Sequence, residues 1–149
     1  QYLAYDALSD GMKRMLDGLR AVHSDIMVAG PQAGKNKGRS TKHRDGPDWR
    51  ETRNSHPVVR THPETGRKML FVNASYTVGF EGMTEKESRP LLDFLMEHGN
   101  RPEFTFRFRW QKGSIAFWDN RCAMHNPVND YHGHKRLMHR ITLAGDVPA

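Results

Sequence analysis

Cysteine is almost missing from this chain of 149 residues; Cys122 is the only one. A single thiol excludes an internal disulfide framework and suits a reducing compartment, so a cytoplasmic location is expected. Cys122 also lacks the Cys/His/Asn setting of a nucleophile. No apolar run approaches the roughly 20 residues of a membrane-spanning helix, and no membrane partner is expected. There is no phosphate loop, no dinucleotide glycine fingerprint and no serine nucleophile elbow. Apolar residues are scarce at 36%, where about 45–50% including glycine is usual. The 13 glycines narrow that gap, so the chain still reads as folded, with 1–149 as a single incomplete domain. It opens on Gln1 without an initiator Met, and is read as a piece of a longer protein.

What is plentiful is positive charge. The formal charge is +6 and the pI about 9.7. The excess is dense from Lys35 to Arg53, in Lys35, Lys37, Arg39, Lys42, Arg44, Arg50 and Arg53. That run has no stacked aromatics and no helical period. It reads as a solvated loop rather than a nucleic-acid surface. The wider stretch 29–55 is rich in Gly, Pro, Lys, Arg, Asn and Ser, and a loop of that length is a candidate lid.

Around this loop the pattern is regular. Ser9 can cap a helix running to about Arg20, with Met12, Met15, Leu16 and Leu19 on one stripe. His56–Val72 reads as a hairpin, with Val58–Thr61 and Met69–Val72 as arms and Pro63-Glu64-Thr65-Gly66 as the turn. Thr84 and Glu87 fit a capping box. Leu91, Leu92 and Leu95 supply the buried side of that helix, and Gly99 can end it. Pro90 predicts a kink or a later start. Phe104–Trp110 alternates strictly and predicts a strand; Ser114–Trp118 and Arg140–Ala144 predict two more. Short strands joined by turns point to an antiparallel sandwich or jelly roll.

Candidate chemistry gathers near the C-terminus. His125 follows a strand-like run and the polar turn Asp119-Asn120-Arg121. A neutral imidazole is a good Fe(II) ligand, and two imidazoles with one carboxylate leave three coordination positions open. Arg136 lies eleven residues beyond His125 and Arg140 four beyond that. A guanidinium grips a carboxylate with two parallel bonds, each worth roughly 1.5–3 kcal/mol. In a strand, Arg136, Met138 and Arg140 share a face, so two arginines would meet two anionic groups or two ends of one. A salt bridge from Arg140 to Asp119 is the plainer alternative. His132 and His134 read as an exposed turn, and His139 as a packed or hydrogen-bonded residue.

His56-Pro57-Val58-Val59-Arg60-Thr61-His62-Pro63, Leu70-Phe71-Val72-Asn73, Thr84-Glu85-Lys86-Glu87-Ser88, Trp118-Asp119-Asn120-Arg121, His125 and Met138-His139-Arg140 together resemble the taurine dioxygenase-like family of Fe(II)/2-oxoglutarate-dependent oxygenases. The resemblance runs from Tyr5 to Asp146 and leaves out only the basic loop. It implies a mainly β fold with flanking helices, the C-terminal part of a double-stranded β-helix or jelly roll. It implies Fe(II) as metal, 2-oxoglutarate as cosubstrate and O2. It assigns His125 as an iron ligand, Arg136 to 2-oxoglutarate, and Arg140 to 2-oxoglutarate or the substrate anion. The other two iron ligands, a histidine and an aspartate, are expected upstream of Gln1, so the chain alone is expected to be inactive. Taurine-specific members place two phenylalanines around their substrate; Ala29 and Tyr76 stand at the matching positions. Tyr76 is therefore a substrate candidate, and a longer alkyl sulfonate, an alkyl sulfate or another anionic molecule is expected at least as readily as taurine itself. A homo-oligomer is expected. The alternative reading is a non-catalytic jelly-roll module that binds anions or nucleic acid.

Overall fold

The computed structural model describes residues 1–30, 49–128, 130–145 and 147. The lid expected at 29–55 therefore lies mostly outside the described residues.

The chain opens with two short helices, α1 (Tyr2–Asp6) and α2 (Asp10–Leu16). Ser9 caps α2 by accepting a hydrogen bond from the Met12 amide at 3.3 Å. The helix stops at Leu16, short of the expected Arg20. Gly18 adopts φ 79°, a left-handed conformation that glycine takes at no steric cost, and turns the chain out of the helix. The stripe is thus only partly realised: Leu16 is buried, Met12 and Leu19 pack at the edge of the core, and Met15 is exposed.

β1 (Arg20–Ser24) follows, then the four-residue α3 (Ile26–Ala29). Beyond the undescribed stretch come β2 (Arg53–Pro57), β3 (Val59–Thr61), β4 (Lys68–Leu70) and β5 (Thr77–Phe80). β1 is the centre of a three-stranded antiparallel sheet in the order β2-β1-β5. Its register with β2 runs from Arg20↔Pro57 to Ser24↔Arg53. With β5 the register slips between Val22 and His23, a bulge. β3 and β4 form the expected hairpin, Val59↔Leu70 to Thr61↔Lys68. The Leu19 carbonyl accepts from the Val58 amide at 2.9 Å and ties the hairpin to the sheet.

α4 (Glu85–Gly99) carries the expected capping box: the Glu87 amide donates to Thr84 Oγ1, and the Thr84 amide donates to Glu87 Oε2 at 2.8 Å. The helix starts at Glu85 and continues through Pro90, so the later start is not realised; proline there only leaves the Lys86 carbonyl without its amide. Ser88 faces β5 and accepts from the Phe80 amide at 3.2 Å. At the other end, His98 Nε2 donates to the Ala4 carbonyl at 2.7 Å and ties α4 to α1. Ala4, Leu8, Leu16, Ala21, Val58, Leu70, Val72, Phe80, Leu92 and Leu95 make one core between the helices and the sheets.

After a 3-10 turn at Pro102–Phe104 the architecture changes. The three strands expected at Phe104–Trp110, Ser114–Trp118 and Arg140–Ala144 are not formed. Among the described residues no neighbour pairs with them, and a strand exists only when another segment supplies the other half of its ladder. Phe106, Ile115, Phe117 and Ile141 are 86%, 89%, 90% and 91% exposed. The described chain is therefore mixed, with more residues in helix than in strand, rather than mainly β.

Candidate functional site

The β3–β4 turn supplies a buried histidine that reaches the C-terminal segment. The His62 amide donates to the Arg67 carbonyl, and the Gly66 amide to the His62 carbonyl, both at 2.9 Å. Gly66 holds φ 67°, which the tight turn needs. This closure points the amides of Glu64 and Thr65 at His62 Nδ1, each at 3.3 Å. Nδ1 must then carry a lone pair, so the ring proton sits on Nε2. Nε2 donates to Asp119 Oδ2 at 3.1 Å.

Asp119 in turn organises its own turn. Its Oδ1 accepts from the Arg121 amide at 2.8 Å and from Arg121 Nε at 3.0 Å; its Oδ2 accepts from the guanidinium at 2.7 Å. The same guanidinium donates to Glu64 Oε1 at 2.8 Å, back on the hairpin. These bonds, from Arg121 first and His62 second, hold the Asp119 carboxyl well below the usual carboxylate range. The Asp119 carbonyl also accepts from the amides of Cys122 and Ala123, at 3.3 and 2.9 Å. The partners of Asp119 are thus His62 and Arg121; the salt bridge considered for Arg140 does not form.

His125 leaves this turn exposed, with its ring 5.0 Å from that of Trp118. Trp118 itself is held by a hydrogen bond from its indole to Asn120 Oδ1 at 2.8 Å. Arg136 packs its guanidinium over the Tyr131 ring at 5.4 Å. Arg140 is exposed. No hydrogen bond, ion pair or ring contact among the described residues joins His125, Arg136 and Arg140.

Tyr76 stands just before β5. Asn73 Oδ1 accepts from the amides of Ser75 and Tyr76 at 3.0 and 2.9 Å, an Asx turn that fixes Tyr76 just before β5. The Tyr76 carbonyl accepts from the Ser24 amide at 2.7 Å. Ala29 ends the helix that starts two residues after Ser24. The two candidate substrate positions thus flank the same end of β1, and the C-terminal candidates are not joined to them.

Could these residues hold iron? Expecting the second histidine and the carboxylate only upstream passed over three pairs in this chain with their His-x-Asp or His-x-Glu spacing: His23–Asp25, His43–Asp45 and His62–Glu64. His43 and Asp45 lie outside the described residues. His23 is buried, and burial first, then the neighbouring His56, lowers its pKa to about 4. Its Nε2 lies 3.2 Å from the Thr77 hydroxyl and its ring stacks on Phe71 at 5.4 Å. His62 has both nitrogens engaged, as described. His62, Asp119 and Cys122 do lie within ligand distance of one another. Their hydrogen bonds already use the imidazole and the carboxylate, so this group is an internal latch. His125 is exposed and neither of its ring nitrogens is engaged in a hydrogen bond among the described residues, so its imidazole has the right donor chemistry. The described residues therefore fit one ligand position of a two-histidine, one-carboxylate site and leave the other two unfilled.

The latch and the free imidazole beside it were half visible in the sequence. Trp118-Asp119-Asn120-Arg121 stood out as a motif, but nothing in it named His62 as the partner 57 positions away.

Residues 1–142 match the family "Taurine catabolism dioxygenase TauD, TfdA family", and the chain belongs to it. It is 36% identical over 145 residues to an alkylsulfatase of Acinetobacter baylyi, covering 97% of this chain and 45% of that protein. It is 34% identical over 146 residues to an alpha-ketoglutarate-dependent sulfate ester dioxygenase of Pseudomonas putida, covering 97% and 48%. Among solved structures, a taurine dioxygenase from Burkholderia xenovorans superposes with a TM-score of 0.62 at 41% identity, over 80% of this chain and 36% of that one. The chain thus spans less than half the length of these relatives. Among the described residues, no helix is long and apolar enough to cross a membrane.

Proposed function

We propose that the full-length protein is an Fe(II)- and 2-oxoglutarate-dependent dioxygenase that hydroxylates a small anionic substrate of the organosulfonate or alkyl sulfate class, releasing succinate and CO2. The observation that carries this is the family match over 1–142 together with a free imidazole at His125 on a braced turn. Residues 1–149 are then the C-terminal portion of a jelly roll, and 29–55 is its candidate lid. The other two iron ligands come from outside the described residues.

Bound iron would supply the activation of O2 at the expense of 2-oxoglutarate. The work of this chain is to hold the reactants. His125 ligates the metal through one ring nitrogen. Arg136 grips the far carboxylate of 2-oxoglutarate in a two-pronged bond, and its always-charged, planar group suits that anion better than lysine would. Arg140 meets 2-oxoglutarate or the anionic end of the substrate. Tyr76 lines the substrate pocket with a ring that carries a polar tip. With the substrate's charge fixed at one end, a defined carbon faces the metal, and position rather than acid–base chemistry sets which C–H reacts. Hydroxylation at a carbon that bears sulfonate or sulfate gives a product that collapses to an aldehyde and releases sulfite or sulfate. A homo-oligomer in the cytoplasm completes the reading, on the strength of the single cysteine and the expected family behaviour.

The test is succinate formation by the full-length protein with Fe(II), O2 and 2-oxoglutarate, screened over alkyl sulfates and sulfonates. Turnover that no anionic substrate stimulates would remove the substrate class. His125→Ala should lose stoichiometric iron. Arg136→Ala should raise the 2-oxoglutarate requirement roughly 10- to 100-fold, as expected for a lost charge-assisted pair, and leave metal content near wild type. An unchanged requirement would take Arg136 out of this role.

A further inference from the structure

We propose that His62 is a positioning residue for the metal-ligand segment: through Asp119 and Arg121 it locks the turn from which His125 emerges. The proposal rests on the reading of His125 as an iron ligand and deepens it.

His62 is 3% exposed, deep enough that its orientation is set by its surroundings. Two backbone amides fix its tautomer, so its one remaining proton is aimed at Asp119. Asp119 spends its other lone pairs on Arg121, and Arg121 returns to the hairpin at Glu64. The loop is therefore closed twice between the β3–β4 turn and residues 119–121, across 57 positions of sequence each time. The β3–β4 hairpin is itself joined to the core through Val58.

This closure reaches His125 by two routes. Trp118 precedes the latched aspartate, and its ring meets the His125 ring at 5.0 Å. Along the backbone, the Ala123 amide is held by the Asp119 carbonyl at 2.9 Å, two residues before His125. A metal gains affinity when its ligands are already oriented, and groups that orient ligands without touching the metal typically change affinity 10- to 100-fold. The segment around it lacks any strand to do this work. The latch is a fixed point six residues before it.

The experiment uses the full-length protein and reads Mn(II) affinity, the electronic spectrum of the Co(II)-loaded protein and the melting temperature, at a temperature well below melting. His62→Ala should weaken Mn(II) binding about 10-fold or more and shift the Co(II) spectrum. His62→Gln, whose amide can still donate to Asp119, should recover most of both. Asp119→Asn, at a half-exposed site, should move both readouts in the same direction, and it decides the matter should His62→Ala not fold. A merely structural histidine would lower the melting temperature and leave the spectrum of the folded protein unchanged. Wild-type affinity and spectrum in His62→Ala and Asp119→Asn, with metal lost in His125→Ala, would overturn the proposal and spare the reading beneath it. Equal metal binding by wild type and His125→Ala would overturn both.

Discussion

The described parts of 1–104 and the segment 105–145 carry the same kind of apolar pattern, yet only the first buries it. Leu92 and Leu95 on α4 are buried against Phe80, Ala4 and their neighbours. Phe106, Phe117 and Ile141, from equally apolar runs, face solvent. The difference is not in the residues but in their partners. α4 meets β5, just before it in the sequence, and α1, brought to it from the start of the chain. The C-terminal runs would need strands that the described residues do not provide. Burial is a property of a pair of surfaces, and periodicity describes only one of them.

The largest effect that can break this comparison is a cavity in the closed region. Leu95 is 1% exposed. Leu95→Ala should cost about 2–5 kcal/mol in the 149-residue chain, because methyl groups are lost and the packed surroundings cannot collapse fully. Denaturant unfolding measures it. A loss below about 1 kcal/mol would mean that the first region is no better packed than the second.

Acid should act on the closed region first, through His23. The buried His23 has its pKa lowered to about 4, from an ordinary value near 6.5, chiefly by burial. A depressed histidine pKa means the unfolded chain binds the extra proton more readily. Stability should therefore be full above about pH 6.5 and fall as the pH drops from there towards 4. The size is roughly 1–2 kcal/mol, below the full value of the shift because the ring is not wholly shut off from water. His23→Gln should flatten that part of the stability profile. A profile of unchanged slope would show that other groups carry it.

The sequence was a good guide where partners are close in sequence. The hairpin, the Ser9 cap and the Thr84–Glu87 capping box were all legible, because each is closed by bonds spanning a few residues. The end of α2 was misjudged because apolar periodicity continues to Leu19 while Gly18 turns the chain away. β1, β2 and β5 were missed: Arg20–Ser24 and Arg53–Pro57 hold His, Arg, Asn and Ser, and only pairing across 29 to 59 residues makes them strands. In the site, the residue types at 125, 136 and 140 could be singled out, but the anchor could not. His62 reads as one of nine histidines until the fold sets it against Asp119.

A smaller effect tests whether α4 owes its place to its own ends as well as to packing. Thr84→Ala removes the hydroxyl that accepts from the Glu87 amide and donates to the Glu87 carboxylate, and leaves the backbone amide of residue 84 able to donate to that carboxylate. The cost should be about 1 kcal/mol, seen as earlier fraying of the first turn by hydrogen exchange. No change would mean that contact with β5 alone holds the helix start.

The smallest effect sharpens the comparison most. Ile141 is 91% exposed, so Ile141→Ala should change the stability of the 149-residue chain by less than about 0.5 kcal/mol. The same substitution in the full-length protein reports on the proposed jelly roll. If strands from outside the described residues cover this segment, Ile141 becomes a core residue there, and its loss should cost about 2–5 kcal/mol. Amides of Phe106, Phe117 and Ile141, which have no backbone partner here, should exchange freely in the shorter chain and be protected in the longer one. Equal costs and equal exchange in both would mean that the segment is open by its own nature, and the contrast between the two regions would then reflect their sequences rather than their partners.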